Sequence, residues 1–157
     1  MDKQYHPTEI EEKWAKVWSE RKVKNESSTE SFSQVIPPPN VTGTLHMGHS
    51  FQYAIMDFYT RYNHMAGKDS YWQVGSDHAG IATQMVVENN LAKKDITRKD
   101  LGREKFLEEV WSWKNYSEEK ITSQIKRLGN TVDWNKYRFT LDDNFNEAVI
   151  KAFVELH

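Results

Sequence analysis

Residues 32–51 read FSQVIPPPNVTGTLHMGHSF, and the order of residue types in this stretch decides the fold. Phe32 to Ile36 is expected to be a short strand. It is stopped by Pro37-Pro38-Pro39, which can neither donate ladder hydrogen bonds nor sit in a helix interior. A turn at Gly43 leads into a helix expected from about Leu45 to Ala66, with Gly67 as the residue just past its end. A second strand, Tyr71 to Val74, a turn at Gly75 to Gly80 and a helix from Ile81 to Leu91 complete the unit. The order β–loop–α–β–loop–α, with crossovers this long, requires parallel strands. It predicts an α/β fold, the start of a doubly wound parallel sheet, in which ligands lie beyond the carboxyl ends of the strands. Both loops, 37–46 and 75–80, fall there.

Outward from this core the pattern becomes helical and charged. Thr8 and Glu11 fit a capping box, with Pro7 just before it. Ile10, Trp14, Val17 and Trp18 then recur at helical spacing, which predicts an amphipathic helix over 8–22 followed by a polar loop at 25–31. From Asp100 to Leu128 a long helix is expected, with Phe106, Val110, Trp113, Ile121, Ile125 and Leu128 facing inward and Gly129 ending it. A short strand at Tyr137–Leu141 and a final amphipathic helix from Asn144 to Leu156 follow. There is no internal repeat and no low-complexity segment.

The 157 residues are enough for one domain with a core, and 20 aromatic residues argue against disorder. The absence of cysteine excludes disulfides and cysteine-ligated zinc. No stretch has the apolar length of a signal h-region or a membrane span, so a cytoplasmic location without membrane contact is expected. A net charge of −2 provides no overall basic signature, so any contact with nucleic acid must be local. Residues 31–90 carry only six of the 44 charged residues but four of the six histidines. Such a charge-poor stretch is a candidate for buried sheet and ligand pocket together.

His46 and His49 are three apart at the start of a helix, so both imidazoles project from one face. The free N–H groups and dipole of a helix N-terminus already favour an anion there. Gly48 between them leaves space for a flat ring to approach the backbone. Two such donors suit the charge that builds on a phosphorus centre under attack. Asp77 is a lone carboxylate in a charge-poor loop and needs a partner, since burying it unpaired is costly. The plainer role for it is N-cap of the helix near Ile81.

PPPNVTGTLHMGH at 37–49 and GSDHAGIATQ at 75–84 together resemble the valine branch of the class I aminoacyl-tRNA synthetases, with His46-Met47-Gly48-His49 standing as the family's H-I-G-H signature. The resemblance extends over essentially the whole chain, through Arg61-Tyr62 to RLGNTVDW at 127–134. It implies the N-terminal part of a Rossmann-like catalytic domain: an N-terminal helix and loop at 1–31, a nucleotide and amino-acid half-site at 32–92 and a mostly helical extension at 93–157. It implies ATP binding, with Mg²⁺ entering as part of the ATP complex rather than as a tightly bound metal. Asn40, Thr42, Gly43, Thr44, His46, Gly48 and His49 would bind ATP, His46 and His49 being catalytic through the phosphates. Pro38 would help wall a small side-chain pocket, Asn40 would face the ligand, and Asp77 would meet the α-ammonium of the amino acid. His78 would line that pocket or close its loop by a hydrogen bond; Thr83 and Gln84 share the motif but could simply pack. The implied reaction is valine plus ATP to valyl-adenylate and pyrophosphate, then transfer to valine tRNA.

Other readings compete. Zinc accepts imidazoles and is a rival use of His46, His49, His64 and His78, but His64 lies about five helical turns from His46 and cannot complete that cluster. Trp111, Trp113 and Trp134 could stack on RNA bases or form core. Lys93, Lys94, Arg98, Lys99, Arg103 and Lys105 are interleaved with acids, as on a solvated helix face. The family's lysine-rich KMSKS loop has no counterpart here, nor do its editing and anticodon-binding domains, and full members are several times longer. The chain alone is therefore expected to be incomplete and inactive, or a synthetase-derived module that binds nucleotide or a partner. An independent nucleotidyltransferase sharing only H-x-G-H would have no need of GSDHAGIATQ.

Overall fold

The computed structural model describes residues 6–20 and 28–157, which fold into two compact units that the chain enters more than once. The expected helix end at residues 21–22 and the first part of the loop expected at 25–31, residues 25–27, lie outside the described residues.

The first unit takes the described residues of 1–36 together with 45–74 and 122–136. In it, α1 (Pro7–Ser19) starts with Pro7 at its first turn and His6 as an N-cap whose side chain makes no capping bond. The expected Thr8–Glu11 capping box is therefore not formed. Proline's fixed φ opens the helix one residue earlier and puts Thr8 inside it. Strands β1 (Ser31–Val35) and β2 (Asp69–Gln73) pair in parallel, Phe32 opposite Ser70 and Gln34 opposite Trp72. The crossover between them is α2 (Met47–Met65), which packs on the sheet. Tyr53 and Trp72 are fully buried, with ring centroids 6.3 Å apart at an edge-to-face angle. Gln34 reaches from β1 to the carbonyl of Met56 and the hydroxyl of Thr60. Gly67 ends α2 at φ +89°, as the sequence predicts. Buried Asp57 accepts from Arg61 Nε and from the Thr131 amide, both at 2.6 Å, and so ties the turn after Gly129 to α2.

The second unit takes residues 37–44, 75–121 and 137–157. Gly75–Ser76, expected as part of a turn, instead forms strand β3, parallel to β4 (Arg138–Phe139). A Cβ on Gly75 would stand 2.3 Å from the Arg138 carbonyl oxygen, so the residue that suggested a turn is there to let two backbones approach. Helix α3 (Ile81–Ala92) and α4 (Arg98–Arg127) enclose a core of Val87, Leu91 and Phe106, with Leu101, Val110 and Trp113 against it. Gly102 interrupts α4 at φ 74°, ψ 173°. The last residues of α4, from Thr122, belong to the first unit, where Ile125 is buried. Leu128, expected to face inward, is 44% exposed, because it lies beyond the last turn of α4, just before the φ +71° turn at Gly129.

Helix α5 (Asp143–Leu156) buries none of its residues, although its sequence is amphipathic. On α2, Met47, Phe51, Ile55, Phe58, Tyr62 and Met65 recur at spacings of three and four and are all exposed. Apolar stripes of this size promote association. The 157-residue chain alone is therefore expected to sediment as concentration-dependent oligomers; a single monomeric species at high concentration would contradict this. No helix among the described residues is long and apolar enough to cross a membrane.

Candidate active-site residues

His46 and His49 both cap the start of α2 with their rings. His46 is the N-cap of α2, in extended conformation, and its Nδ1 accepts from the Gly48 amide at 3.1 Å. His49 Nδ1 accepts from the His46 amide at 3.2 Å. This is a capping box in which imidazoles replace the usual hydroxyl and carboxamide. Because both Nδ1 atoms accept, the neutral rings carry their proton on Nε2. Each Nε2–H is then a donor with no acceptor among the described residues, at a helix end that favours anions. The ring centroids lie 3.9 Å apart. A Cβ on Gly48 would stand 2.9 Å from His46 Cε1, so the first flat ring this glycine accommodates is that of His46.

Burial, and secondly the neighbouring charge of His46, hold the His49 imidazole below its ordinary value of 6.5. Burial likewise pushes the Tyr53 hydroxyl, with its ring 5.9 Å from that of His49, up to about 12. A histidine lowered on folding stabilises the fold fully above its unfolded value, and the contribution fades as pH falls through the folded value. Imidazole ¹⁵N spectra of a protein carrying this chain should show His49 as the Nε2–H tautomer with a midpoint below 6.5. A midpoint above that value, or the Nδ1–H tautomer, would contradict the capping geometry.

Pro38, Asn40, Thr42, Gly43 and Thr44 lie in the second unit. Their loop is held by α4: Trp113 Nε1 donates to the Val41 carbonyl at 2.9 Å, and Ser117 Oγ to the Gly43 carbonyl at 2.8 Å. Pro38, Asn40 and Thr44 are exposed, and Thr42 and Gly43 are half-buried. In the first unit, the Leu45 amide donates to Gln124 Oε1 at 2.9 Å, just before His46.

Asp77 and His78 are also in the second unit. Asp77 forms a parallel bridge with Asn40, its amide donating to the Pro39 carbonyl and its carbonyl accepting from the Val41 amide, both at 2.9 Å. Asp77 Oδ1 accepts from the Ala79 amide at 2.8 Å, an Asx turn that supports Ala79 at φ +50°. Asp77 is not the N-cap of α3; Gly80 is, without a side-chain bond. Its Oδ2 has no hydrogen-bond partner among the described residues. His78 closes the loop, as one of its two expected roles allowed: its carbonyl accepts from Thr83 Oγ1 at 2.7 Å, and its ring and amide both meet Thr140.

A family model described as tRNA synthetases class I (I, L, M and V) matches residues 9–157. The chain belongs to the class I tRNA synthetases. It is 57% identical over 154 residues to a valine–tRNA ligase of Acinetobacter baylyi, covering 98% of this chain and 16% of that protein. Among solved structures it resembles the LeuRS of Agrobacterium radiobacter K84, crystallised as a ternary complex with tRNA and LeuAMS. The TM-score is 0.75 at 20% identity, over 98% of this chain and 18% of that one, which establishes the synthetase fold. The chain thus spans about a sixth of the relatives it matches.

Within this synthetase chain several supporting residues carry no signal in the sequence. Ser117, Gln124 and Thr140 each reach a motif loop from more than 60 positions away. Of the tryptophans, Trp113 is half-buried and bonded to the Val41 carbonyl, a structural use. Trp111 is exposed and packs edge-on to Phe139, while Trp134 is half-buried under the ammonium of Lys126. His64 lies in the last turn of α2, far from its N-terminus.

Proposed function

We propose that this chain supplies the nucleotide- and amino-acid-binding part of a valine–tRNA ligase, which joins valine to ATP and passes the valyl group to valine tRNA. The observation that carries the reading is the capping of the α2 start by both rings, His46 Nδ1 on the Gly48 amide and His49 Nδ1 on the His46 amide, which leaves two Nε2–H donors at one helix end. Donors fixed in this way need no rearrangement as charge grows on the α-phosphate under attack by the valine carboxylate. Asn40, Thr42, Gly43, Thr44 and Gly48 are proposed to line the path of ATP. Asp77 would receive the valine ammonium, with Pro38, Asn40 and His78 around the amino acid. ATP would enter as its Mg²⁺ complex, the metal shielding the phosphates; the chain's own contribution is positioning and hydrogen bonding. The 57% identity to a valine–tRNA ligase supports valine over the other amino acids of the family.

The remaining domains, including the loop that would complete the ATP site, are proposed to come from outside these 157 residues. Valine-dependent ATP–pyrophosphate exchange tests this. It should be robust in the full-length ligase carrying this chain and near background in the 157-residue chain alone. Robust exchange by the chain alone would refute its incompleteness, and exchange in the full-length protein with another amino acid but not valine would refute the substrate.

A further inference from the structure

Thr140 immediately follows β4, and its amide donates to the Ser76 carbonyl at 3.2 Å, which fixes its backbone beside the loop that begins at Asp77. Its hydroxyl then meets three groups of that loop: the His78 amide at 2.9 Å, His78 Nδ1 at 2.6 Å and Asp77 Oδ1 at 3.4 Å. A hydroxyl has one proton and two lone pairs. The amide can only donate and the carboxylate can only accept. All three contacts are therefore satisfied together in a single proton arrangement. Thr140 Oγ1 accepts from the His78 amide and from His78 Nδ1–H, and gives its proton to Asp77 Oδ1. In that arrangement His78 is the Nδ1–H tautomer. Asp77 Oδ1 accepts from Ala79 N–H and Thr140 O–H, with His78 Nδ1 3.5 Å away, and Oδ2 remains to receive a ligand.

The base on which Thr140 stands is itself fixed. Buried Ser76 on β3 bonds Glu118 Oε1 at 3.1 Å and accepts from Tyr137 Oη at 2.5 Å; Lys114 pairs with Glu118 Oε2 at 2.7 Å. Burial, above all, raises the Tyr137 hydroxyl far above its usual range, so it stays a donor. Ser76, the residue before Asp77, is thus anchored by side-chain bonds to Glu118 and Tyr137, none of which runs to the Asp77 carboxylate.

We infer that Thr140 is a positioning residue for amino-acid recognition: its hydroxyl orients the Asp77 carboxylate and sets the His78 tautomer. This deepens the proposed function and rests on the assignment of Asp77 to the substrate ammonium. The test uses the full-length ligase carrying this chain, assayed by valine-dependent ATP–pyrophosphate exchange. Thr140→Val, which keeps the shape and removes the hydroxyl, should raise KM for valine about tenfold, the loss of one hydrogen bond to a charged group. KM for ATP should stay within about twofold, and Thr140→Ser should restore the valine KM. Histidine-selective ¹⁵N spectra of the unsubstituted protein should show His78 as Nδ1–H. An unchanged valine KM in Thr140→Val, an equal rise in the ATP KM, or Thr140→Ser behaving like Thr140→Val would each overturn the inference. So would an Nε2–H tautomer at His78, since Thr140 would then spend its proton on the ring, and this measurement stands even if Thr140→Val does not fold. Asp77→Asn run in parallel separates the two levels. If it leaves the valine KM unchanged, the assignment of Asp77 fails and the inference falls with it. If it raises the valine KM while Thr140→Val does not, the inference alone fails.

Discussion

His49→Ala in the full-length ligase should lower valine-dependent ATP–pyrophosphate exchange by about 10²–10³-fold, which corresponds to about 2.7–4 kcal/mol of transition-state stabilisation lost with one preorganised donor. Valine affinity should change little, because the proposed bond strengthens only as charge develops at phosphorus. The substitution also removes the acceptor for the His46 amide, so a stability cost of about 1 kcal/mol accompanies it, as for other lost helix caps. His49→Gln separates the two effects, since glutamine at the third helical position restores a capping box. Thermal unfolding of His49→Gln should therefore match the unsubstituted protein more closely than that of His49→Ala. Exchange kinetics set beside equilibrium valine titration decide the matter. Equal losses in rate and valine affinity, or a loss of valine affinity alone, would remove His49 from the phosphate and leave it a structural cap.

Backbone punctuation was the part of the fold most legible in the sequence. Pro37–Pro39 ends β1, and Gly67 and Gly129, both at positive φ, end helices where the chain said they would. The parallel pairing of β1 and β2 followed from a crossover too long for a hairpin. What the sequence hid were features whose partner is far along the chain. Gly75 was read as a turn because the Arg138 carbonyl that needs its missing Cβ lies 63 residues away. Leu128 matched the helical period, but that period stops one residue earlier. The three-residue spacing of His46 and His49 was legible, whereas the capping of the helix start by both rings was not, since histidine rarely takes that role. Around Asp77 the sequence showed only what was absent, a nearby cation; the groups that hold the loop, Ala79 N–H and Thr140, emerged with the structure.

Asp77→Asn carries the largest expected effect on recognition. Asparagine keeps a carbonyl oxygen where Oδ1 accepts from the Ala79 amide, so the Asx turn and the backbone bridge to Asn40 should survive. The change falls on Oδ2, which has no hydrogen-bond partner among the described residues. There the substitution exchanges an anionic acceptor for an NH₂ group, which can only donate. A substrate ammonium also only donates, so the variant meets it with a like-polarity contact and no charge, once binding has already removed water. Truncating one side of such a desolvated pair costs about 2–5 kcal/mol. The Asp77 side chain is 37% exposed without ligand, which places the expected loss toward the lower part of that range. Each 1.4 kcal/mol is about tenfold in Kd, so valine binding should weaken by at least about thirtyfold. ATP affinity should stay within a few-fold, since the carboxylate is assigned to the amino acid and not to the phosphates. Calorimetric titration of the full-length ligase with valine and with ATP separately resolves the two. A collapse of ATP affinity with valine binding intact would give Asp77 to the nucleotide, and equal loss of both would give it to the fold; retention of both would leave the proposed amino-acid site without its anion.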